Sequence, residues 1–294
     1  MSLPDPVLIT CSISGAVANR DQCSAIPYTP EEYGAEARRA VDEGASMIHI
    51  HARTPEGVPS YEIEDFRAIT NAILAEVDDV IVNYSTGAIG IPMEKRVEYL
   101  RELKPDVAAL NMGSMNYAKY SRRRKDFVFK AVFENSFDTI QTFLTEMNAL
   151  GIRPEHECFD SGHLANLDPF LDMDLLKEPL QVSLVMGVTG GIRPTAKNLQ
   201  HMASEVPGGP DGSSNWGVIG VSREQWMLIG AALSLGGNVR AGVEDNFYLP
   251  NGDMARSNGD LIAQARRMAE DIGRRPATVA EAREMLGTPK RAAA

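Results

Sequence analysis

His49 and His51 stand two residues apart in the stretch Met47-Ile48-His49-Ile50-His51-Ala52-Arg53-Thr54, in a chain with only 5 histidines among 294 residues. Apolar Met47, Ile48 and Ile50 make the stretch strand-like. Side chains alternate across a strand, so both imidazoles fall on one face. That is half of a metal site. Zinc suits it, because a catalytic zinc takes three protein ligands and keeps one position open. Two packed histidines with satisfied ring nitrogens fit the same spacing, so a third ligand must decide. The stretch Arg240-Ala241-Gly242-Val243-Glu244-Asp245-Asn246 offers one. Arg240 and Glu244 share strand parity, and polar residues at alternate positions of a buried strand need a reason. Glu244 would complete a two-histidine, one-glutamate zinc site. Asp245 is expected to point elsewhere, as a base or as an orienter paired with Arg240. A structural ion pair is the competing account.

Other chemistry-bearing groups collect at the ends of apolar runs. Ser85-Thr86-Gly87 and Asn111-Met112-Gly113-Ser114 each follow one. Glu155 and Glu157 share a face and could support metal ligands or pair with basic residues. Gly190-Gly191 with Arg193 and Lys197 could receive a phosphate at a helix start, and Arg223 is similarly placed. Ser85 has no histidine in sequence reach, so a serine hydrolase is not indicated. Arg122-Arg123-Arg124-Lys125 is a basic run of the kind that is usually solvated.

The elements that must position these groups alternate. Strands are expected at 7–15, 47–51, 80–87, 107–114, 154–160, 180–187, 216–221 and 239–245, with 127–129 as a short extra extended segment. Helices are expected at 29–44, 61–77, 93–103, 136–150, 163–176, 195–206, 224–235 and 257–272, with a short final one at 279–286. Thr29-Pro30-Glu31-Glu32 is a helix start by capping, proline and charge. Eight β/α units with no linker-like break predict a single (β/α)₈ barrel over residues 1–294, about the length one such barrel takes. A dinucleotide-binding sheet is disfavoured, since no glycine fingerprint follows the first strand. Residues 291–294 are expected to fray.

A hydrophobic content of 44% and a charged content of 23% are ordinary for a soluble globular chain. The net charge of −11 argues against nucleic acid and anionic membranes as main partners. Three widely spaced cysteines fit a reducing compartment, and Cys11 or Cys158 is a poor candidate nucleophile. With no apolar run of about 18 residues and no leader-like start, a cytoplasmic protein is expected.

The chain resembles the β-keto acid cleavage enzymes, whose lysine-fermenting member cleaves 3-keto-5-aminohexanoate. The resemblance covers nearly the whole length. It rests on Ser14-Gly15-Ala16, Thr29-Pro30-Glu31-Glu32, Ile48-His49-Ile50-His51-Ala52-Arg53, Ser85-Thr86-Gly87 and Leu110-Asn111-Met112-Gly113. It continues in Phe159-Asp160-Ser161-Gly162-His163 and Arg240-Ala241-Gly242-Val243-Glu244-Asp245-Asn246. It implies a TIM barrel, a homotetramer, and a catalytic Zn²⁺ (or another divalent metal) on His49, His51 and Glu244. It further implies Asp245 as base, oriented by Arg240, and Ser85 holding the substrate carboxylate or developing charge. Thr86, Gly87 and Asn111 would line the substrate site. The reaction implied condenses a β-keto acid with acetyl-CoA and releases acetoacetate and a new acyl-CoA.

Two departures bear on the substrate. The lysine-fermenting member has a glutamate for the substrate ammonium where this chain has Val17, and a threonine where it has Ala109. An ammonium facing Val17 loses its charge partner, so a non-aminated keto acid is expected. A metal-dependent aldolase or retro-Claisen hydrolase without CoA, and a non-catalytic metal- or ligand-binding barrel, are the competing readings.

Overall fold

The protein is described by a computed structural model over residues 6–209 and 212–290; the tail at 291–294 lies outside the described residues. Eight strands close into a parallel barrel: β1 (Ile9–Ser12), β2 (Met47–Ile50), β3 (Ile81–Ser85), β4 (Val107–Asn111), β5 (Arg153–Cys158), β6 (Gln181–Met186), β7 (Asn215–Gly220) and β8 (Asn238–Ala241). Each pairs with the next, and β8 pairs with β1 through Val239–Ile9, Arg240–Thr10 and Ala241–Cys11. This is the (β/α)₈ barrel that the alternation predicts.

Around it lie α1 (Pro30–Asp42), α2 (Ile63–Glu76), α3 (Met93–Leu103), α4 (Phe137–Leu150), α5 (Ser161–Ala165), α6 (Leu167–Asp172), α7 (Ala196–Ser204), α8 (Gln225–Ser234), α9 (Asn258–Asp271) and α10 (Val279–Leu286). Local chemistry sets many of their starts. Thr29 and Thr278 form capping boxes with Glu32 and Glu281, and the hydroxyls of Ser136, Thr195 and Ser257 accept from the first turns of α4, α7 and α9. Among the described residues no helix is long and apolar enough to cross a membrane.

Strand alternation divides the side chains into two shells. Cys11, Ile48, Ile50, Val82, Tyr84, Leu110 and Val182 pack outward into the core shared with the helices. Their neighbours Ser12, His49, Asn83, Ser85, Asn111, Glu155, Ser183 and Arg240 therefore face the barrel axis, all of them buried. One end is sealed by apolar packing: Leu8, Met47, Ile81 and Val107 meet Ala277, Ala282 and Leu286 at and before α10. The final helix thus closes the N-terminal end of the barrel, and the polar interior opens at the other.

Three expectations change. The region 163–176 is two short helices, α5 and α6, meeting at Asn166. Pro169 has no N–H to return to the carbonyl of Ala165, which a continuous helix would need. The extended segment at 127–129 is part of an antiparallel hairpin, Met115–Ser121 with Asp126–Phe133, turning at 122–125. The last strand ends at Ala241 instead of running to Asp245. A side chain at Gly242 would collide with the Ser12 carbonyl, and the next residues turn, with Asp245 N and Asn246 N each donating to Gly242 O at 3.1 Å. Glu244 and Asp245 therefore stand on a turn above the strand.

Candidate metal centre and active site

His49 is the third residue of β2, and His51 follows directly after its last. The His51 carbonyl accepts from Ser14 Oγ at 2.9 Å and Tyr33 Oη at 2.7 Å, which fixes the strand end. Opposite it, the turn after β8 carries Glu244, whose N–H donates to Ser12 O at 3.2 Å. Gly15 has φ +64°, and a Cβ there would come within 2.6 Å of Glu244 Cγ, so this loop needs glycine both for its conformation and for the approach of Glu244.

His51 Nε2 lies 3.3 Å from Glu244 Oε1, and His49 Nε2 lies 3.8 Å from Glu244 Oε2. The three donor atoms fall within 4.8 Å of one another. Tetrahedral ligands about 2.0–2.1 Å from an ion stand roughly 3.3 Å apart, so the set is compatible with one cation. Glu244 Oε2 is buried without a hydrogen-bond partner, an acceptor aimed where such a cation would sit. Burial, then the charge of Arg240, holds the His49 pKa well below the ordinary histidine range, so its ring is neutral and can ligate. Burial opposes ionisation of Glu244, but Arg240 and the two histidines outweigh it and hold its carboxyl well below the usual range.

Asp245 stands outside the three-ligand group and pairs with Arg240, which it shares with Glu244. Arg240 donates from Nε to Asp245 Oδ2 at 2.9 Å and from Nη2 to Asp245 Oδ1 at 3.0 Å, and the same Nη2 lies 2.8 Å from Glu244 Oε1. Ser12 Oγ donates to Asp245 Oδ2 at 2.6 Å. Burial, opposed by Arg240, raises the Asp245 pKa above the ordinary carboxyl value. Arg240 Nη1 turns toward Glu157 Oε1, 3.6 Å away, and burial pushes the Glu157 carboxyl up to about 8. Glu155 is instead bonded to Asn83 and Ser183 below the mouth. Asn83 is the register partner of His49, and its Oδ1 and the His49 Nδ1 are both buried without a hydrogen-bond partner.

A cavity of about 1040 Å³ opens over these groups. Its lining includes His51, Ser85, Gly87, Asn111, Arg240, Glu244, Asp245 and Val17, the last at the mouth and 62% exposed. Thr86 and Ala109 are corrections, since neither lines it. Thr86 is fully buried and its hydroxyl donates to the Ala109 carbonyl, while Ala109 lies deeper in the wall on β4. Gly190, Gly191, Arg193, Lys197 and Arg223 also stay out of the lining, and α7 is capped by Thr195 instead. His163 is buried away from it, accepting from Phe159 N at 3.3 Å.

Several contributors escaped the reading of motifs. Ser12 was one small residue in an apolar run. Arg53 is 3% exposed and donates to the carbonyls of Gly15, Gly57 and Ala18, clamping the loop that carries Val17. Its signal in the sequence is its place in the histidine motif, two residues after His51. The hairpin contributes Tyr117, Lys119, Tyr120, Phe129 and Phe133 to the cavity. Phe133, Phe159, Val185 and Ile219 form an apolar cluster along it.

Comparison with known proteins bears on the family and the fold. The family description "beta-keto acid cleavage enzyme" fits residues 6–288. The 3-keto-5-aminohexanoate cleavage enzyme of Fusobacterium nucleatum is 34% identical over 287 residues, covering 97% of this chain and 99% of that one. The 3,5-dioxohexanoate:acetyl-CoA acetone transferase of Paraburkholderia graminis is 34% identical over 300 residues, covering 97% of each. Among solved structures, apo ObcA gives a TM-score of 0.71 at 20% identity over 90% of this chain and 66% of that chain, a likeness of fold.

Proposed function

Since the chain belongs to the beta-keto acid cleavage enzyme family, and is thereby a carbon–carbon-cleaving acyltransferase, we propose that it exchanges acyl groups between a non-aminated β-keto acid and acetyl-CoA. One observation carries the reading: His49, His51 and Glu244 converge within 4.8 Å beside the Arg240–Asp245 pair. A metal-binding scaffold has no need of a buried base held beside its ligands.

His49, His51 and Glu244 would hold a divalent ion, zinc by its suitability for two imidazoles and a carboxylate. Such an ion supplies Lewis acidity at the keto oxygen and so stabilises the enolate. Asp245 takes the C2 proton; its raised pKa makes it a stronger base than an ordinary carboxylate. Arg240 and Ser12 occupy its Oδ2, while Oδ1 receives only Arg240 Nη2 and keeps a lone pair for the proton. Ser85 Oγ accepts from Gly87 N at 3.2 Å, which leaves the hydroxyl proton free for the substrate carboxylate. The C2 carbanion then displaces CoA from acetyl-CoA. The CoA sulfur attacks the former ketone carbon, the C2–C3 bond breaks with its electron pair on C2, Asp245 returns its proton there, and acetoacetate leaves with a new acyl-CoA.

Relatives equally similar at 34% identity are named for an aminated and for a neutral keto acid, so overall similarity does not choose the tail. Val17 at the mouth and the cluster of Phe133, Phe159, Val185 and Ile219 support a neutral, apolar one. A homotetramer, as the resemblance implies, and a cytoplasmic location, with Cys11, Cys23 and Cys158 all free and buried, belong to the same proposal.

The test is to incubate zinc-loaded protein with a panel of β-keto acids, with and without acetyl-CoA, and follow acetoacetate and acyl-CoA by mass spectrometry. Acetyl-CoA-dependent acetoacetate from neutral keto acids is expected. Cleavage without acetyl-CoA, or no turnover across the panel, overturns the reading.

A further inference from the structure

The cavity is larger than a short keto acid requires. At about 1040 Å³ it reaches the upper end of the roughly 300–1,000 Å³ typical of ligand pockets. Its outer wall is the hairpin. Tyr117 stands near Glu244, Glu157 and Asp245, and the wall continues through Lys119 and Tyr120. Register pairing puts Tyr117 opposite Ala131 and Lys119 opposite Phe129, so Tyr117, Lys119, Phe129 and Phe133 share the inner face. The Tyr117 ring lies 5.7 Å from Phe129 and 5.6 Å from Phe133, which makes that face an aromatic track.

The track ends in cations. Arg122, Arg123, Arg124 and Lys125 form the exposed turn, Lys119 lies on the inner face before it, and Asp126 is the only acid between 119 and 130. Among the described residues none of the four turn cations joins an ion pair. The chain as a whole carries 40 acidic against 29 basic residues, so this is a local reversal of sign at the tip of the hairpin whose nearer residues, through Tyr120, line the cavity. Clustered cations without internal partners raise the local concentration of an anion, and guanidinium groups match phosphate geometry. From Tyr117 to Arg122 is five residues, about 17 Å of strand. A ligand that reacts at the metal centre and carries phosphates at the far end of a long arm has that shape.

We propose that the hairpin is the coenzyme subsite: its inner face carries the pantetheine arm, and Lys119 with Arg122, Arg123 and Arg124 receives the phosphates of acetyl-CoA. The inference rests on the acyl-exchange reading for the identity of the ligand. It assigns the keto acid to the barrel mouth and the coenzyme to the hairpin.

The experiment compares unaltered protein with the triple variant Arg122→Ser/Arg123→Ser/Arg124→Ser and the charge-conserving Arg122→Lys/Arg123→Lys/Arg124→Lys. The probes are acetyl-CoA, its analogue lacking the 3′-phosphate, and S-acetylpantetheine. The serine variant is expected to raise KM for acetyl-CoA about tenfold or more, with kcat at saturation and KM for the keto acid unchanged. The lysine variant stays within a few-fold. The unaltered protein prefers acetyl-CoA to S-acetylpantetheine, and the serine variant loses most of that preference, as coupled groups must. An unchanged KM for acetyl-CoA, or a change in oligomeric state alone, overturns the inference while leaving the acyl-exchange reading intact. Direct calorimetric titration with CoA separates the two. Binding lost in the serine variant without any turnover in the unaltered protein sinks the reaction and keeps the subsite, whereas no binding to unaltered protein sinks the subsite.

Discussion

Arg240 grips Asp245 through two nearly equal hydrogen bonds, 2.9 and 3.0 Å, although the two residues lie on different pieces of backbone, a strand and the turn above it. This fork fixes the carboxylate plane, and the third bond, from Ser12, comes from the neighbouring strand. A base held by three donors needs no reorganisation when it takes a proton.

Asp245→Asn keeps the shape and removes the base. The expected result is a fall in kcat of roughly 10²–10⁴-fold with KM values little changed, since the lost interaction belongs to the proton-transfer step. Steady-state kinetics with metal content measured in parallel checks it, and an equal loss of metal would reassign the residue to metal binding.

Asn83 stands beside His49 as its register partner on the neighbouring strand and donates to Glu155. Groups behind a metal-bound histidine orient its ring, so Asn83→Leu should weaken metal affinity by about 10–100-fold. Competition with a chromophoric chelator reads the affinity directly. Chelation should likewise abolish turnover in the unaltered protein, with recovery when zinc is returned.

His156 faces outward from β5 and donates from Nδ1 to Gln181 O at 2.9 Å. Its burial lowers the pKa from 6.5 to about 4, so the folded state holds it neutral. A depressed pKa contributes stability above the unfolded value, and that contribution is lost as pH falls from 6.5 through 4. It should amount to roughly 3 kcal/mol across the window. Urea midpoints over that range should fall less steeply in His156→Phe; parallel slopes would remove His156 as the acid-labile group.

Val17→Glu places a carboxylate at the cavity mouth. Aminated keto acids should gain in kcat/KM relative to neutral ones. Val17 is 62% exposed, so solvent screens the new charge and the gain should be about three- to tenfold. A ratio that does not move takes Val17 out of substrate selection.

Much of the scaffold was legible because local interactions define it. α3 and α10 span the residues their patterns predict, and Thr29, Ser136, Ser257 and Thr278 cap where short polar residues precede periodic runs. The long hairpin was not legible beyond Phe127–Phe129, because Met115–Ser121 is half-exposed and lacks the clean alternation of a buried face. The α5–α6 break hinged on one proline, whose effect depends on its exact place in the turn.

By itself the sequence determined the alternation that closes the barrel, the pairing of His49 with His51 on one strand face, and the presence of a carboxylate and an arginine at the far edge. Only the tertiary structure decided how these meet. Barrel closure pairs β8 with β1, one strand away from β2, and the strand stops at Ala241, which lifts Glu244 toward the histidines and Asp245 onto Arg240. Spacing along a chain specifies which face a side chain takes. It does not specify where a strand must end, and here that is set by the close approach of Gly242 to Ser12, residues 230 positions apart.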